Sequence, residues 1–176
     1  MSASQARGRS NPRACTLVRA SVISAAVSTA MFVFPSSAAA APYPATAFTI
    51  SPVSAATKCA TLELGKPLGA LPCTGATNQH FTYDGASKHL ATGNGACVGS
   101  SGAAFGTALA GVPCDGKGGT PIVVDANPAG TADRERITYV KTGNGAQACF
   151  TLGKNGSIGG FACSGGPNQD FSVKPV

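Results

Sequence analysis

Three pairs of cysteines, Cys59 with Cys73, Cys97 with Cys114, and Cys149 with Cys163, are each followed six residues later by Gln79, Thr120 or Gln169. Paired thiols in an exported chain cross-link covalently, and side-chain amides such as Asn78-Gln79 and Asn168-Gln169 donate and accept hydrogen bonds at once. Metal ligation would use the same thiols, but no Cys-x-x-Cys spacing occurs, so no metal or other cofactor is expected. His80 and His89 are the only histidines, and nothing sets a cysteine, serine or carboxylate beside them. They are read as ordinary surface residues. Nucleophile-elbow, zinc-protease and phosphate-loop signatures are all lacking, which points away from an enzyme.

The elements that position these residues recur three times. The eight residues before each second cysteine align without a gap as GKPLGALP, GTALAGVP and NGSIGGFA, with Leu68, Leu109 and Ile158 in one register and Leu71, Val112 and Phe161 in another. Thr92-Gly93-Asn94-Gly95-Ala96 returns letter for letter as Thr142 to Ala146. A unit of roughly 40 residues used three times suits a closed three-fold fold better than a solenoid. Six cysteines alone leave many connectivities open. Pairing within each unit is the pattern that keeps the three copies equivalent, and loops of this length contribute about 3 kcal/mol each by the chain-entropy model.

The first 41 residues read as a secretory signal peptide. Arg7, Arg9, Arg13 and Arg19 form a basic start, an apolar run extends from about Ala20 to Phe34, and small residues follow to Ala41. Cys15 leaves with that segment. The formal charge of +6 includes its four arginines, so the remaining 9 Lys and Arg stand against 7 Asp and Glu, a net of +2. Neither a nucleic-acid surface nor a polybasic membrane patch is supported, and no membrane span is expected after cleavage. About 135 residues remain, enough for one core.

Dense glycine and proline, with short alternating runs between turn signals, predict an all-β chain of about twelve strands. First strands are expected at 48–50, 88–90 and 137–140. Fourth strands carry Phe81 and Tyr83, Ile122 and Val124, and Phe171 and Val173 on one face. Gly65, Gly106 and Asn155 are expected at sharp reversals. Residues 42–47 read as a short loose lead, and Asp125 to Arg136 as a solvated surface loop with a charge-alternating Asp133-Arg134-Glu135-Arg136. Asn155-Gly156-Ser157 is a glycosylation sequon on a predicted turn.

From Phe48 to Val176 these residues resemble the ricin B-like, or R-type, β-trefoil lectin family, including its small secreted fungal members. The family unit is a cysteine, a turn, an aliphatic strand, a second cysteine and Gln-x-Trp. Here it stands as Gln79-His80-Phe81 and Gln169-Asp170-Phe171, with Thr120-Pro121-Ile122 between. The resemblance implies a β-trefoil of repeats at about 48–86, 87–136 and 137–176. It also implies a sugar site built from an Asp two residues after the first cysteine, an aromatic two before the second, and an Asn-Gln pair. By position the Asp is replaced by Thr61, Gly99 and Thr151, and the aromatic by Leu71, Val112 and Phe161. Asn78-Gln79 and Asn168-Gln169 persist, against Gly119-Thr120 in the middle unit.

The third unit, with Thr151, Phe161, Asn168 and Gln169, is therefore the best candidate sugar site, the first, with Thr61, Asn78 and Gln79, a weaker one, and the middle a dead one. Gln79 and Gln169 are expected to satisfy turn backbone groups, and Phe81 and Phe171 to lie in the core. The expected function is a secreted lectin-like module with weakened sugar sites and glycans or glycoproteins as partners. The alternatives are a sugar-blind interaction factor or inhibitor that meets a protein through the 125–136 loop, and a component of an extracellular wall or matrix.

Overall fold

The computed structural model describes residues 43–100, 107–125, 129–131, 134–140 and 145–176. The expected signal segment with Cys15, the turn residue Gly106, and Asp133 lie outside the described residues. Each repeat opens with one strand, continues into a hairpin and closes with a fourth strand. The opening strands are β1 (Phe48–Pro52), β5 (His89–Thr92) and β12 (Thr138–Val140). The hairpins are β2 (Lys58–Thr61) with β3 (Gly69–Pro72), β6 (Ala96–Ser100) with β7 (Thr107–Pro113), and β13 (Gln147–Leu152) with β14 (Ile158–Phe161). The closing strands are β4 (Phe81–Asp84), the broken pair β8 (Thr120–Pro121) and β9 (Val123–Val124), and β15 (Phe171–Pro175).

Opening and closing strands pair around a ring. Ile50 lies opposite Val173, Phe48 opposite Phe81, Tyr83 opposite Leu90, and Tyr139 opposite Val124. Alternation along β1 turns Phe48 and Ile50 into the core while Thr49 and Ser51 stay partly exposed. The hairpins meet at the pseudo-three-fold axis, where the Leu68 N–H donates to the Leu109 carbonyl at 2.7 Å and the Ile158 N–H to the Leu68 carbonyl at 2.8 Å. All three side chains are fully buried, which explains the aliphatic register at those positions. The chain has no tryptophan. Its core is filled instead by Phe48, Phe81, Phe150, Phe171, Leu90 and Ile137, with Phe150 and Phe171 packed edge to face at 6.3 Å.

The structure departs from the sequence reading in four places. Fifteen strands stand among the described residues instead of about twelve, because the middle closing strand is split at Ile122 and a further hairpin is present. That hairpin, β10 (Ala129–Thr131) with β11 (Arg134–Arg136), lies inside the expected loop and pairs with β15 at Glu135 and Phe171. The alternating charges are thus a strand pattern: Arg134 is exposed, Glu135 is buried, and the Arg136 Nε lies 3.5 Å from an oxygen of the largely buried Asp170. The third reversal uses Gly156, at φ +81°, and not Asn155, whereas Gly65 takes φ +74° as expected.

Tyr43 is the fourth departure, for the supposedly loose lead delivers it into the barrel. Its ring stacks on Phe48 at 5.4 Å and packs against Tyr83 at 4.9 Å, and its buried hydroxyl has no hydrogen-bond partner among the described residues. Burial, followed by the nearby Glu135 carboxylate, holds this phenol far above its ordinary range. Burial likewise raises Tyr83 and Tyr139.

Two outcomes follow for unfolding experiments. Tyr43→Ala is expected to lower stability by about 3 kcal/mol, while Tyr43→Phe, which removes an unsatisfied hydroxyl, leaves it unchanged or higher, as read from urea midpoints. Because the folded phenols are raised, their contribution is fully present below the unfolded value of about 10 and is lost as pH climbs above it. Phenolate absorbance is expected to appear together with loss of the β-sheet circular dichroism signal; ionisation well ahead of unfolding would contradict the packing described.

Candidate functional site

Disulfides join Cys59 to Cys73, Cys97 to Cys114, and Cys149 to Cys163, one inside each repeat. In the first and third repeats a buried carboxamide spans the ends of that bridge. The Gln169 Nε2 donates to the Thr151 hydroxyl at 3.0 Å and to the Ala162 carbonyl at 2.8 Å. Its Oε1 accepts from the Ser164 and Gly165 amides at 2.8 and 3.1 Å. Gln79 repeats the pattern, donating to the Thr61 hydroxyl and the Pro72 carbonyl, both at 2.9 Å, and accepting from the Thr74 amide at 2.8 Å. Thr61 and Thr151 in turn donate to the Cys59 and Cys149 carbonyls at 3.1 Å each.

This latch decides what the threonines can do. Each hydroxyl already donates to one group and accepts from another, and both residues are buried. The two candidate positions that the resemblance aligns with a sugar-binding carboxylate thus hold Gln79 and Gln169, each with its proton committed and one lone pair in use. Those glutamines bind backbone, as the sequence predicts.

The middle repeat replaces the latch with packing. Val112 is 7% exposed, against 54% for Leu71 and 43% for Phe161 at the aligned positions. A Cβ on Gly99 would fall 2.7 Å from the Val112 Cγ1 and 2.9 Å from the Thr120 carbonyl oxygen, so a side chain there would clash. Val112 packs against Gly99 and Gly119, which stand where the first repeat has Thr61 and Asn78. Gly119-Thr120 brings no amide pair to this repeat.

Around the third latch a groove of about 440 Å³ is lined by Thr151, Leu152, Lys154, Phe161, Asn168 and Gln169. Phe161, Lys154 and Asn168 are exposed. The structure thus brings the third-repeat candidates together, with Phe161 and Asn168 accessible and Thr151 and Gln169 beneath them. The first repeat has a smaller groove of about 140 Å³, and here the sequence reading missed a residue. Glu63 lines it and accepts from the Asn78 Nδ2 at 3.2 Å. A hydrogen bond and ion pair with Lys66 hold the Glu63 carboxyl below its usual range.

Glu63 lies four residues after Cys59 instead of two, which is why a position-by-position transfer passed over it. It is nevertheless the one acidic residue between Cys59 and Cys73, and Lys66 stands three residues on. The first groove therefore has a carboxylate and an aliphatic flank, Leu71, and the third an aromatic and the Asn168 amide, which has no partner among the described residues. Among the described residues no cluster of His, Cys, Asp and Glu is arranged to hold a metal, and no helix is long and apolar enough to cross a membrane.

No protein-family model and no curated protein matches the sequence. Solved structures do match the fold. The designed three-fold symmetric protein ThreeFoil superposes with a TM-score of 0.58 at 12% identity, over 74% of this chain and 99% of that one. The ricin B-like lectin of Macrolepiota procera, in complex with lactose, gives 0.58 at 21% identity, over 75% and 96%. A mosquitocidal holotoxin gives 0.54 at 11% identity, over 76% of this chain, which spans only 17% of that longer one. At these identities the likeness defines the fold: the chain is an all-β protein with the β-trefoil architecture, three repeats about a pseudo-three-fold axis.

Removing the latch should therefore damage stability before anything else. Gln169→Ala leaves the Ala162 carbonyl and the Ser164 amide without their partner, and a loss of about 2 kcal/mol is expected from the urea midpoint. Gln79→Ala should behave alike, and no change in either variant would show that the carboxamides hold nothing.

Proposed function

We propose that this chain is an exported, disulfide-stapled carbohydrate-binding module whose weak glycan contact is made by the third repeat. The observation that carries the reading is Phe161, 43% exposed on the rim of a groove that also holds Asn168. A sugar ring needs two different contacts at once, an apolar surface under its C–H face and directional partners for its hydroxyls. Phe161 supplies the first; the Asn168 amide and the Lys154 ammonium supply the second. Hydrogen bonds to charged groups are worth about 1.5–3 kcal/mol. Doing without a carboxylate therefore weakens binding by roughly one to two orders of magnitude.

The lactose complex of the Macrolepiota procera lectin makes a galactoside the natural first probe. Export is supported by the basic, apolar and small-residue succession of the first 41 residues and by three disulfides, which persist in oxidising compartments. In this reading the protein binds without catalysing a reaction.

A second reading, a sugar-blind interaction factor, draws on the latch, because Thr61 and Thr151 are buried, carry no charge and are already bonded to Gln79 and Gln169. Its contact surface would be the β10–β11 hairpin, which presents Thr131 and Arg134 to solvent. A glycan array on the oxidised protein separates the two. Binding is expected to fall by about tenfold in Phe161→Ala, equivalent to losing roughly 1.4 kcal/mol of apolar contact, and to persist in Arg134→Ala. An array blank at high protein concentration would retire the sugar reading, and partner capture sensitive to Arg134 but indifferent to free sugars would put the second in its place.

A further inference from the structure

The sequon Asn155-Gly156-Ser157 occupies the turn between β13 and β14. Asn155 is exposed, and its Oδ1 accepts from the Ser157 amide at 3.1 Å and from the Ser157 hydroxyl at 2.6 Å. Two backbone bonds fix the turn, Gly153 N–H to the Ser157 carbonyl at 2.7 Å and Gly156 N–H to the Gly153 carbonyl at 3.0 Å. With its oxygen doubly held, the amide leaves Nδ2 with no partner among the described residues. The reversal does not itself require this pair of residues. The first repeat turns with Gly65-Lys66-Pro67 at the aligned positions.

The turn also has a fixed neighbour. The Ala70 N–H donates to the Gly156 carbonyl at 2.7 Å, and Gly69 forms an antiparallel bridge with Ser157. Gly69 in turn lines the first-repeat groove with Glu63, Lys66 and Leu71. The sequon of the third repeat thus stands at the rim of the groove of the first.

We infer that Asn155 carries an N-linked oligosaccharide and that its first sugars lie along the groove of Glu63, Lys66 and Leu71. The proposal rests on the export reading, since the donor is a polyprenyl-pyrophosphate-linked oligosaccharide found in the lumen of the secretory route. Nδ2 forms a bond to the sugar C1 as the bond from C1 to the phosphate oxygen breaks. One Nδ2 proton is released, and the electron pair leaves with the polyprenyl pyrophosphate. The chain supplies only the acceptor. Once attached, the glycan meets a carboxylate and an ammonium for its hydroxyls and Leu71 for an apolar edge, so the first groove is filled from within and the third stays open to other glycans.

The full chain, expressed in a eukaryotic host and recovered from the medium, tests this by intact mass and peptide mapping before and after peptide-N-glycosidase treatment in heavy-oxygen water. The expected result is a mass loss of an oligosaccharide, with Asn155 converted to isotope-labelled aspartate and no such loss in Asn155→Gln or Ser157→Ala. Labelling of Lys66 by an amine-reactive reagent should rise severalfold once the glycan is removed. Secreted protein with unmodified Asn155 overturns the proposal and leaves export standing. Glycosylated protein whose Lys66 labels equally before and after treatment overturns the placement in the groove. Protein that never reaches the medium overturns the export reading and this proposal with it.

Discussion

A single buried carboxamide, used twice, sets the terms for the rest of the molecule. Gln79 and Gln169 each tie the strand leaving the first cysteine to the backbone on both sides of the second, so disulfide and amide together close the hairpin. Every polar atom of that amide is engaged, as a buried amide must be if it is not to be destabilising. The consequence reaches outward: the threonine that completes the latch is buried with its proton already donated, so the accessible side chains of the proposed site are those on the rim. Where the latch is missing, in the middle repeat, Val112 turns inward and is buried.

The three repeats have consequently diverged in a physically ordered way. Among the described residues the first groove has a charged acceptor, Glu63, and Leu71 as a flank, and the third has Phe161 and the exposed Asn168 amide with no carboxylate in its lining. In the proposed reading each holds half of what a firm hold on a sugar requires. Their common frame stays intact because Leu68, Leu109 and Ile158 meet at the axis whatever the grooves contain.

Much of this was legible in the sequence wherever repetition made it so. Cysteine pairing, the aliphatic axis and the burial of Phe81 and Phe171 all recur in register, and each copy confirms the others. What occurs once was harder to see. Tyr43 is a lone aromatic among prolines and alanines, with no periodicity to announce that it enters the core. The β10–β11 hairpin alternates charge where a core strand would alternate apolar residues, so its inward Glu135 reads as solvated. Glu63 escaped because alignment asks for an acid at one fixed offset, whereas a groove accepts a carboxylate from any backbone position that reaches it. Gly156 differs from expectation by one residue, the usual uncertainty of a turn whose flanking residue, Asn155, also tolerates reversal.

Latch and rim are separate, and nitrogen-proton NMR of the oxidised protein titrated with lactose observes both at once. The side-chain amide of Asn168 and the Phe161 ring signals should move with added sugar. Those of Gln169 should stay fixed and protected from exchange with solvent. A Gln169 amide that follows the sugar while Asn168 stands still would contradict that separation.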